Sequence, residues 1–535
     1  MVRELKILVL GSGFWFLVIC TELLTVHPII KTVNINLTNL KMKYSHRISH
    51  LILTGSLFLL VSFNVLAGEG YTQKLDCFSF VVGKNASADG SVIFAHNEDT
   101  GPLGVNYYKV PGKIHQPGEE IIMERGARVP QAAVTYGYLW INIPACDVCD
   151  SYVNEYGVSV GSDGCPSRED KPELKDGGIV FWLRRIIAER AGTSREGVKI
   201  AGRLIEEYGY ASSGRSYIIA DKNEGWVLAV VYGKHWVAQR VPDDKVAVIP
   251  NCYTIEGIDL SDTVNFLGSP DIIDYAIQRG WYDPSKDGEF NFARAYSNPG
   301  SLTHPGNSHR MWRGIELVSG QKYNITRQLP FAVKPAGKLS VPNIMTALRD
   351  HYEGPLLDDS GEAASEELLK ASSSAICRDR TQYSLVAHLR NRLPAEIAPV
   401  SWIAMYQPDL QAYCAWYPAM TTIPDIYSKG DYVSGLQQHL DNIVKGTRSL
   451  KSPAYLRFVS LNDKIRSGTD ENIAFVKNEW SAFENGNFRA QAKFEKKIVS
   501  IIGKDRDKAI RKITDYASTK AIEVYENADK LINKL

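Results

Sequence analysis

The chain has 535 residues, 44% of them apolar and 10% aromatic, enough to bury a large core in one big domain with an appendage or in two domains, which excludes a disordered or low-complexity protein. Its 61 Lys and Arg nearly cancel its 60 Asp and Glu, and no long single-sign block interrupts the polar loops. That balance argues against nucleic acid as a partner and favours a small, roughly neutral ligand.

Two apolar runs lie in the first 67 residues. The run at 7–20 is short for a membrane span; the run at 51–67 follows Lys43 and Arg47 and ends in Val65-Leu66-Ala67, with small residues at the positions a signal peptidase inspects. Met42 followed by Lys43 looks like a natural start. Residues 1–41 therefore read as an upstream extension of the reading frame and 42–67 as a signal peptide, predicting export to the periplasm or medium with no stable membrane partner afterwards. The competing reading is a two-pass or signal-anchored membrane protein.

From residue 77 the pattern is strand and turn. An apolar run at 77–82, a Gly, Asn, Ser and Asp-rich stretch at 83–90 and a second run at 91–95 predict a β-hairpin, and another strand is expected at 156–160. Two amphipathic helices follow, one with Val180, Leu183, Ile187 and Ala191 on a face, the other with Val198, Ala201, Ile205 and Tyr208. Thr193 is placed to cap the second, Glu196 stands at the capping-box spacing and Gly209 ends it. Four short strands, 216–220, 225–232, 235–241 and 246–249, then read as an antiparallel meander. Residues 253–372 read as loop-rich, and strands resume at 383–389, 401–405 and 412–417. After about residue 426 long polar helices take over, with Ile510, Ile513, Ala517, Ala521 and Val524 in one stripe, as in a solvated bundle packed against the main body. Strands, a helix pair and strands again predict an α+β layered fold with antiparallel sheets.

No P-loop, H-E-x-x-H or dinucleotide fingerprint is present, and the eleven histidines show no metal-ligand spacing, so no metal or cofactor is expected and nucleophile-based hydrolysis remains. The C-x-x-C of Cys146 and Cys149, with Cys165 beyond it, reads as a structural bridge or as loop thiols. Gly157-Val-Ser159-Val-Gly161 matches the nucleophile elbow by letter, but no helix follows it, so Ser159 reads as a strand residue.

The stretch C-F-S-F-V-V-G-K-N-A-S-A-D-G-S-V-I-F-A-H-N-E-D, opening at Cys77 and closing on His96, Asn97, Glu98 and Asp99, resembles the mature amino terminus of the cysteine dipeptidases of the dipeptidase A family. Further blocks in family order are Asn154-Glu155-Tyr156-Gly157-Val158, Tyr217 to Trp226, Trp236 to Pro242, Val248-Ile-Pro-Asn251, Trp312-Arg-Gly and Arg380-Thr-Gln382. The family belongs to the N-terminal-nucleophile hydrolases. The resemblance implies an αββα sandwich, two antiparallel sheets between helix layers, over 77–425, with a helical extension over 426–535.

It also implies that 68–76 is a propeptide and that Cys77, once freed, is the nucleophile. An amino-terminal cysteine carries its own base: an α-amine of pKa about 7.7–8.0 lies within one residue of the thiol. By resemblance Asp99 is the acid beside the ammonium, Asn251 the oxyanion donor, Asp163 or Gly164 near a second donor, and Arg380 a group that orients the thiol or binds a substrate carboxylate. His96 stands where relatives have arginine, and a histidine does not hold its charge at every pH. The implied activity is hydrolysis of small peptides, with a homo-oligomer compatible; the alternatives are an acylase of the penicillin V acylase or bile-salt hydrolase type and a non-catalytic binding protein on the same fold.

Overall fold

The computed structural model describes residues 77–535 except 102, 145, 147–148, 326, 354–374 and 441–449, all within one unit spanning Gln73–Leu535. The leader and propeptide expectations for 1–76 lie outside the described residues. Among the described residues no helix is long and apolar enough to cross a membrane.

Fifteen strands, numbered along the chain, build two large antiparallel sheets. The seven-stranded sheet is formed by β1 (Phe78–Val82), β2 (Val92–Glu98), β10 (Val246–Ile249), β12 (Ala332–Val333), β13 (Tyr383–Leu389), β14 (Pro399–Met405) and β15 (Cys414–Trp416), in the order β12-β10-β1-β2-β13-β14-β15. The eight-stranded sheet is formed by β3 (Asn106–Val110), β4 (Tyr138–Asn142), β5 (Ser151–Asn154), β6 (Ser159–Gly164), β7 (Tyr210–Ala220), β8 (Gly225–Gly233), β9 (Trp236–Arg240) and β11 (Phe266–Gly268), in the order β11-β9-β8-β7-β6-β5-β4-β3. Every residue of β1, β2 and β14 is buried, because each sheet is covered on both faces. The inner faces meet where side chains are smallest: a Cβ on Gly161 would stand 2.8 Å from the Phe94 ring, and one on Gly225 2.5 Å from Val81 Cγ1.

The outer layers are helical. Helices α1 (Leu183–Arg190) and α2 (Ser194–Tyr208) cover the eight-stranded sheet; α3 (Pro305–Ser319) and α4 (Val341–Leu348) cover the seven-stranded one. The expected αββα sandwich is therefore the observed one. Thr193 caps α2 by accepting from Glu196 N (3.2 Å), Glu196 returns to Gly192 N rather than to the cap residue, and Gly209 stops the helix at φ 76°.

Three expectations are corrected. The strand expected at 156–160 begins at Ser159, because Asn154 Oδ1 accepts from the amides of Tyr156 and Val158 and holds 156–158 as a turn through Gly157 at φ 80°. Ser159 is a buried strand residue, as expected. The four-strand meander is a three-strand one: β7, β8 and β9 are neighbours, but after Pro242, which has no ladder donor, the chain crosses to pair β10 with β1 in the other sheet. The stretch expected to be loop-rich contains α3 and α4, and α3 hides from periodicity because Asn307, His309, Arg310 and Arg313 are buried on it beside its apolar residues.

Beyond the sandwich, α5 (Pro453–Arg466), α6 (Asp470–Ile502) and α7 (Arg506–Lys534) close over the β15 edge. Tyr427 donates to the Ala521 carbonyl (2.7 Å), Trp480 to that of Leu410 (3.0 Å), and Glu495 accepts from Arg390 (2.7 Å) and Tyr417 (2.8 Å). The α7 stripe is as expected except that Ala509 is buried and Ile510 half-buried. Cys146 and Cys149 stand with their sulfurs 3.0 Å apart, and Cys165 donates to Ser216 Oγ (3.2 Å).

Gly314 on α3 sets the distance between that helix and the sheet: a Cβ there would lie 2.8 Å from Val248 Cγ1 and 2.9 Å from the Phe78 ring. Gly314→Ala is expected to lower the unfolding free energy by about 1–3 kcal/mol, read from the shift in urea midpoint.

Candidate active site

Strands β1 and β2 pair with Ser79 opposite His96 and Phe78 opposite Asn97, and the next step along the ladder sets Cys77 against Glu98. Alternation puts Cys77, Ser79, His96 and Glu98 on the face turned to the other sheet. Asn97 points away and donates to the carbonyls of Leu348 and Ile376 (both 2.9 Å). Across the gap β6 delivers Asp163. A buried polar chain results: Cys77 Sγ donates to Glu98 Oε1 (3.0 Å), Glu98 Oε2 meets His96 Nε2 (3.3 Å), His96 Nδ1 meets Ser79 Oγ (2.9 Å), and Ser79 Oγ donates to Asp163 Oδ2 (2.8 Å). From α1 and β7, Arg184 and Arg215 both donate to Ser162 Oγ (2.8 and 3.0 Å), fixing β6 from its other face.

Helix α3 brings Arg310, fully buried, to the head of β1. Nη1 donates to the Cys77 carbonyl (3.0 Å), Nη2 to Asn251 Oδ1 (2.7 Å) and Asn307 Oδ1 (3.3 Å), and Nε to the Gly306 carbonyl (2.6 Å). Because the guanidinium takes the amide oxygen of Asn251, the amide nitrogen faces the other way, a buried donor with no partner. Asp99 Oδ2 lies 3.8 Å from Arg310 Nη1, and Asp99 Oδ1 accepts from Thr381 Oγ1 (2.6 Å).

The structure thus gathers Cys77, His96, Asp99, Asp163 and Asn251, and sets the Arg380 guanidinium against Gly101, two residues beyond Asp99. Arg380 is half-buried beside Gly101, its carbonyl accepting from Gly101 N (3.4 Å) and Gln382 Nε2 (3.0 Å). The field of Arg378, on the same segment, reaches Asp99. Sequence reading also passed over Glu98, Ser79 and Arg310. The first two were available from strand alternation; Arg310 had no local signal.

Charge is crowded here. Burial pushes the Cys77 thiol well up, and Glu98 and Asp163 push it further, against the pull of Arg215. Burial raises Asp99 to about 7 despite Arg378 and Arg310, and Asp163 to about 6 despite His96 and the Ser79 hydroxyl. For His96 burial disfavours the charged ring, but the hydrogen bond to Glu98 and the fields of Asp163, Glu98 and Asp99 outweigh it and its pKa rises. In this setting the histidine is driven toward the cationic state that an arginine would hold unconditionally. Donor atoms of Cys77, His96 and Glu98 all lie within 4.8 Å of one another, so a thiophilic metal ion bound there would occupy the thiol itself.

Peptidase family C69 matches residues 170–464, more than half of the chain. The chain belongs to peptidase family C69. The matched stretch holds Asn251, Arg310 and Arg380; Cys77, His96, Asp99 and Asp163 precede it. A probable dipeptidase from Latilactobacillus sakei is 28% identical to this C69 chain over 363 residues, covering 65% of it and 75% of the relative. A probable dipeptidase B from Streptococcus pyogenes serotype M1 is 24% identical over 479 residues, 86% of this chain and 92% of the relative. A solved conjugated bile acid hydrolase from Clostridium perfringens superposes with a TM-score of 0.29 at 10% identity, covering 64% of this chain and 92% of that one, too loosely to carry weight.

The raised pKa of Asp99 has a sign for stability. The unfolded carboxyl titrates near 3.8 and the folded one near 7, so its contribution is fully present below the lower value and is lost as pH rises through the upper one. In a Cys77→Ala chain with the 76–77 peptide intact, Asp99→Asn is expected to raise the urea midpoint at about pH 8 and leave it nearly unchanged at about pH 4.

Proposed function

We propose that this C69 peptidase is an exported cysteine dipeptidase whose nucleophile, Cys77, is freed by cleavage of the 76–77 peptide after a signal peptide (42–67) is removed. The observation that carries the reading is Arg310, whose one guanidinium holds both the Cys77 carbonyl and the Asn251 amide oxygen, so that thiol and oxyanion donor are fixed in one frame. The names of the relatives, probable dipeptidases over most of their length, support the substrate class.

In processing, Cys77 passes its proton to Glu98 Oε1 at 3.0 Å and attacks the carbonyl of residue 76. The C–N bond breaks, the proton goes to the new α-amine, and water hydrolyses the thioester to leave residues 68–76 with a free carboxylate. The neutral α-amine so formed enters surroundings that favour its taking up a further proton: Glu98, Asp99 and Asp163 crowd the thiol, and the last two resist ionisation while no further positive charge is supplied.

In turnover the α-amine takes the thiol proton, the thiolate attacks the scissile carbonyl, and Asn251 Nδ2 donates to the developing oxyanion. The amine then protonates the leaving group, and water releases the acyl-enzyme. No cofactor enters the scheme. A cavity of about 450 Å³, within the usual range for small-ligand pockets, has Cys252 and Asn307 in its wall, next to Asn251 and Arg310, and is lined by Leu302, Met311 and Leu329 with Arg294 and Arg327 among its polar groups, a composition suited to an apolar side chain and a carboxylate.

Intact mass and amino-terminal sequencing of the protein from an exporting host test the processing: a chain beginning at Cys77 is expected, and an active chain beginning at Gly68 would overturn the mechanism. On processed protein, Asn251→Ala is expected to lower kcat by about 10²–10³-fold with KM little changed. A panel of dipeptides and acyl amides tests the substrate class; dominant turnover of the acyl amides would replace the dipeptidase reading with an acylase one.

A further inference from the structure

One further cluster of metal-binding side chains stands on the opposite side of the seven-stranded sheet from Cys77. His351 follows α4, Cys377 precedes β13 and Asp409 sits in the short 3-10 turn Pro408–Leu410 after β14. Their donor atoms lie within 4.8 Å of one another: His351 Nε2 is 3.1 Å from Asp409 Oδ2, and Cys377 Sγ is 3.6 Å from Asp409 Oδ1. We propose that His351, Cys377 and Asp409 form a binding site for a thiophilic divalent cation, with zinc as the reference ion.

Ligands at about 2.0–2.3 Å from a tetrahedral zinc stand roughly 3.3–3.8 Å from one another, close to the separations found here, and one imidazole, one thiol and one carboxylate form a donor set that zinc accepts. Three protein ligands leave a fourth position, and the 31% exposure of the His351 side chain gives it access to solvent. The backbone around the ligands is tied down. Cys377 N donates to the Asp350 carbonyl (3.0 Å), Gln407 Nε2 to that of Asp379 (2.6 Å) and Arg349 Nε to that of Pro408 (2.8 Å).

Binding forms an S–metal bond, breaks the Cys377 S–H bond and releases that proton to solvent, with the neutral His351 ring presenting Nε2 and keeping its proton on Nδ1. Arg466 Nη2, 3.5 Å from Asp409 Oδ2, is the competing cation, but Gln407 Oε1 also binds it and its side chain is 43% exposed, so it can withdraw.

Cys377 is joined to Arg378, and the same segment ends at Thr381, the donor to Asp99. An ion on Cys377 would thus anchor the segment that holds Asp99 in the other site. The proposal does not depend on the dipeptidase reading.

The test uses the full chain carrying Cys77→Ala, which removes the thiol of the other cluster, stripped with chelator and titrated with Co²⁺. One equivalent with a thiolate-to-cobalt charge-transfer band, displaced by Zn²⁺, is expected. Cys377→Ser is expected to abolish the band, and His351→Ala, at a partly exposed position, to weaken binding by more than about tenfold while the circular dichroism of the fold is kept. Absence of stoichiometric binding to the Cys77→Ala chain, or binding that both substitutions leave unchanged, would overturn the proposal.

Discussion

The buried guanidinium of Arg310 is the contact on which the site depends. It reaches the Cys77 carbonyl at the head of β1, the Asn251 amide just beyond β10 and the loop at the start of its own helix, and it stands within 4 Å of Asp99. Three segments far apart in sequence are registered by one planar group whose five donors are fixed relative to each other. Its placement rests in turn on Gly314 one turn further along α3, where the absence of a side chain lets the helix lie directly on β1 and β10. Packing between helix and sheet and geometry at the thiol are therefore one constraint.

The second organising feature is an excess of buried acid. Glu98, Asp99 and Asp163 crowd a thiol, and burial lifts the last two out of their ordinary range even with Arg310, Arg378, Arg215 and His96 nearby. Buried carboxylates held in this way are costly unless another cation arrives. An amino-terminal ammonium at residue 77 would be such a cation, which makes processing and electrostatics two sides of one proposal. His96 fits the same frame: its acidic neighbours raise its pKa and drive it toward the charge that an arginine at this position would hold at any pH.

Much of the sandwich was legible in the sequence because strands reveal themselves locally. The hairpin of β1 and β2, the capped α2 and the strands from β13 to β15 follow from apolar runs, turn residues and a threonine cap whose range of action is a few residues. Where a stretch serves the site, the signal fades. Helix α3 carries buried Asn, His and Arg beside its apolar residues, so its periodicity reads as loop. Glu98 was available from local pattern, since the two-residue alternation applied from Cys77 across the hairpin brings it to the thiol.

By itself the sequence determined the class of chemistry, the layered α+β architecture and the residue that could serve as nucleophile, because composition, short-range periodicity and a contiguous motif at Cys77 are properties of neighbouring residues. Only the tertiary structure decided that Val246–Ile249 leaves the meander to lie beside β1, that Arg310 rather than a nearer arginine holds the Cys77 carbonyl, and that His351, Cys377 and Asp409 converge. These are matters of strand order and helix placement, fixed by contacts between residues tens to hundreds of positions apart, and no local pattern carries them.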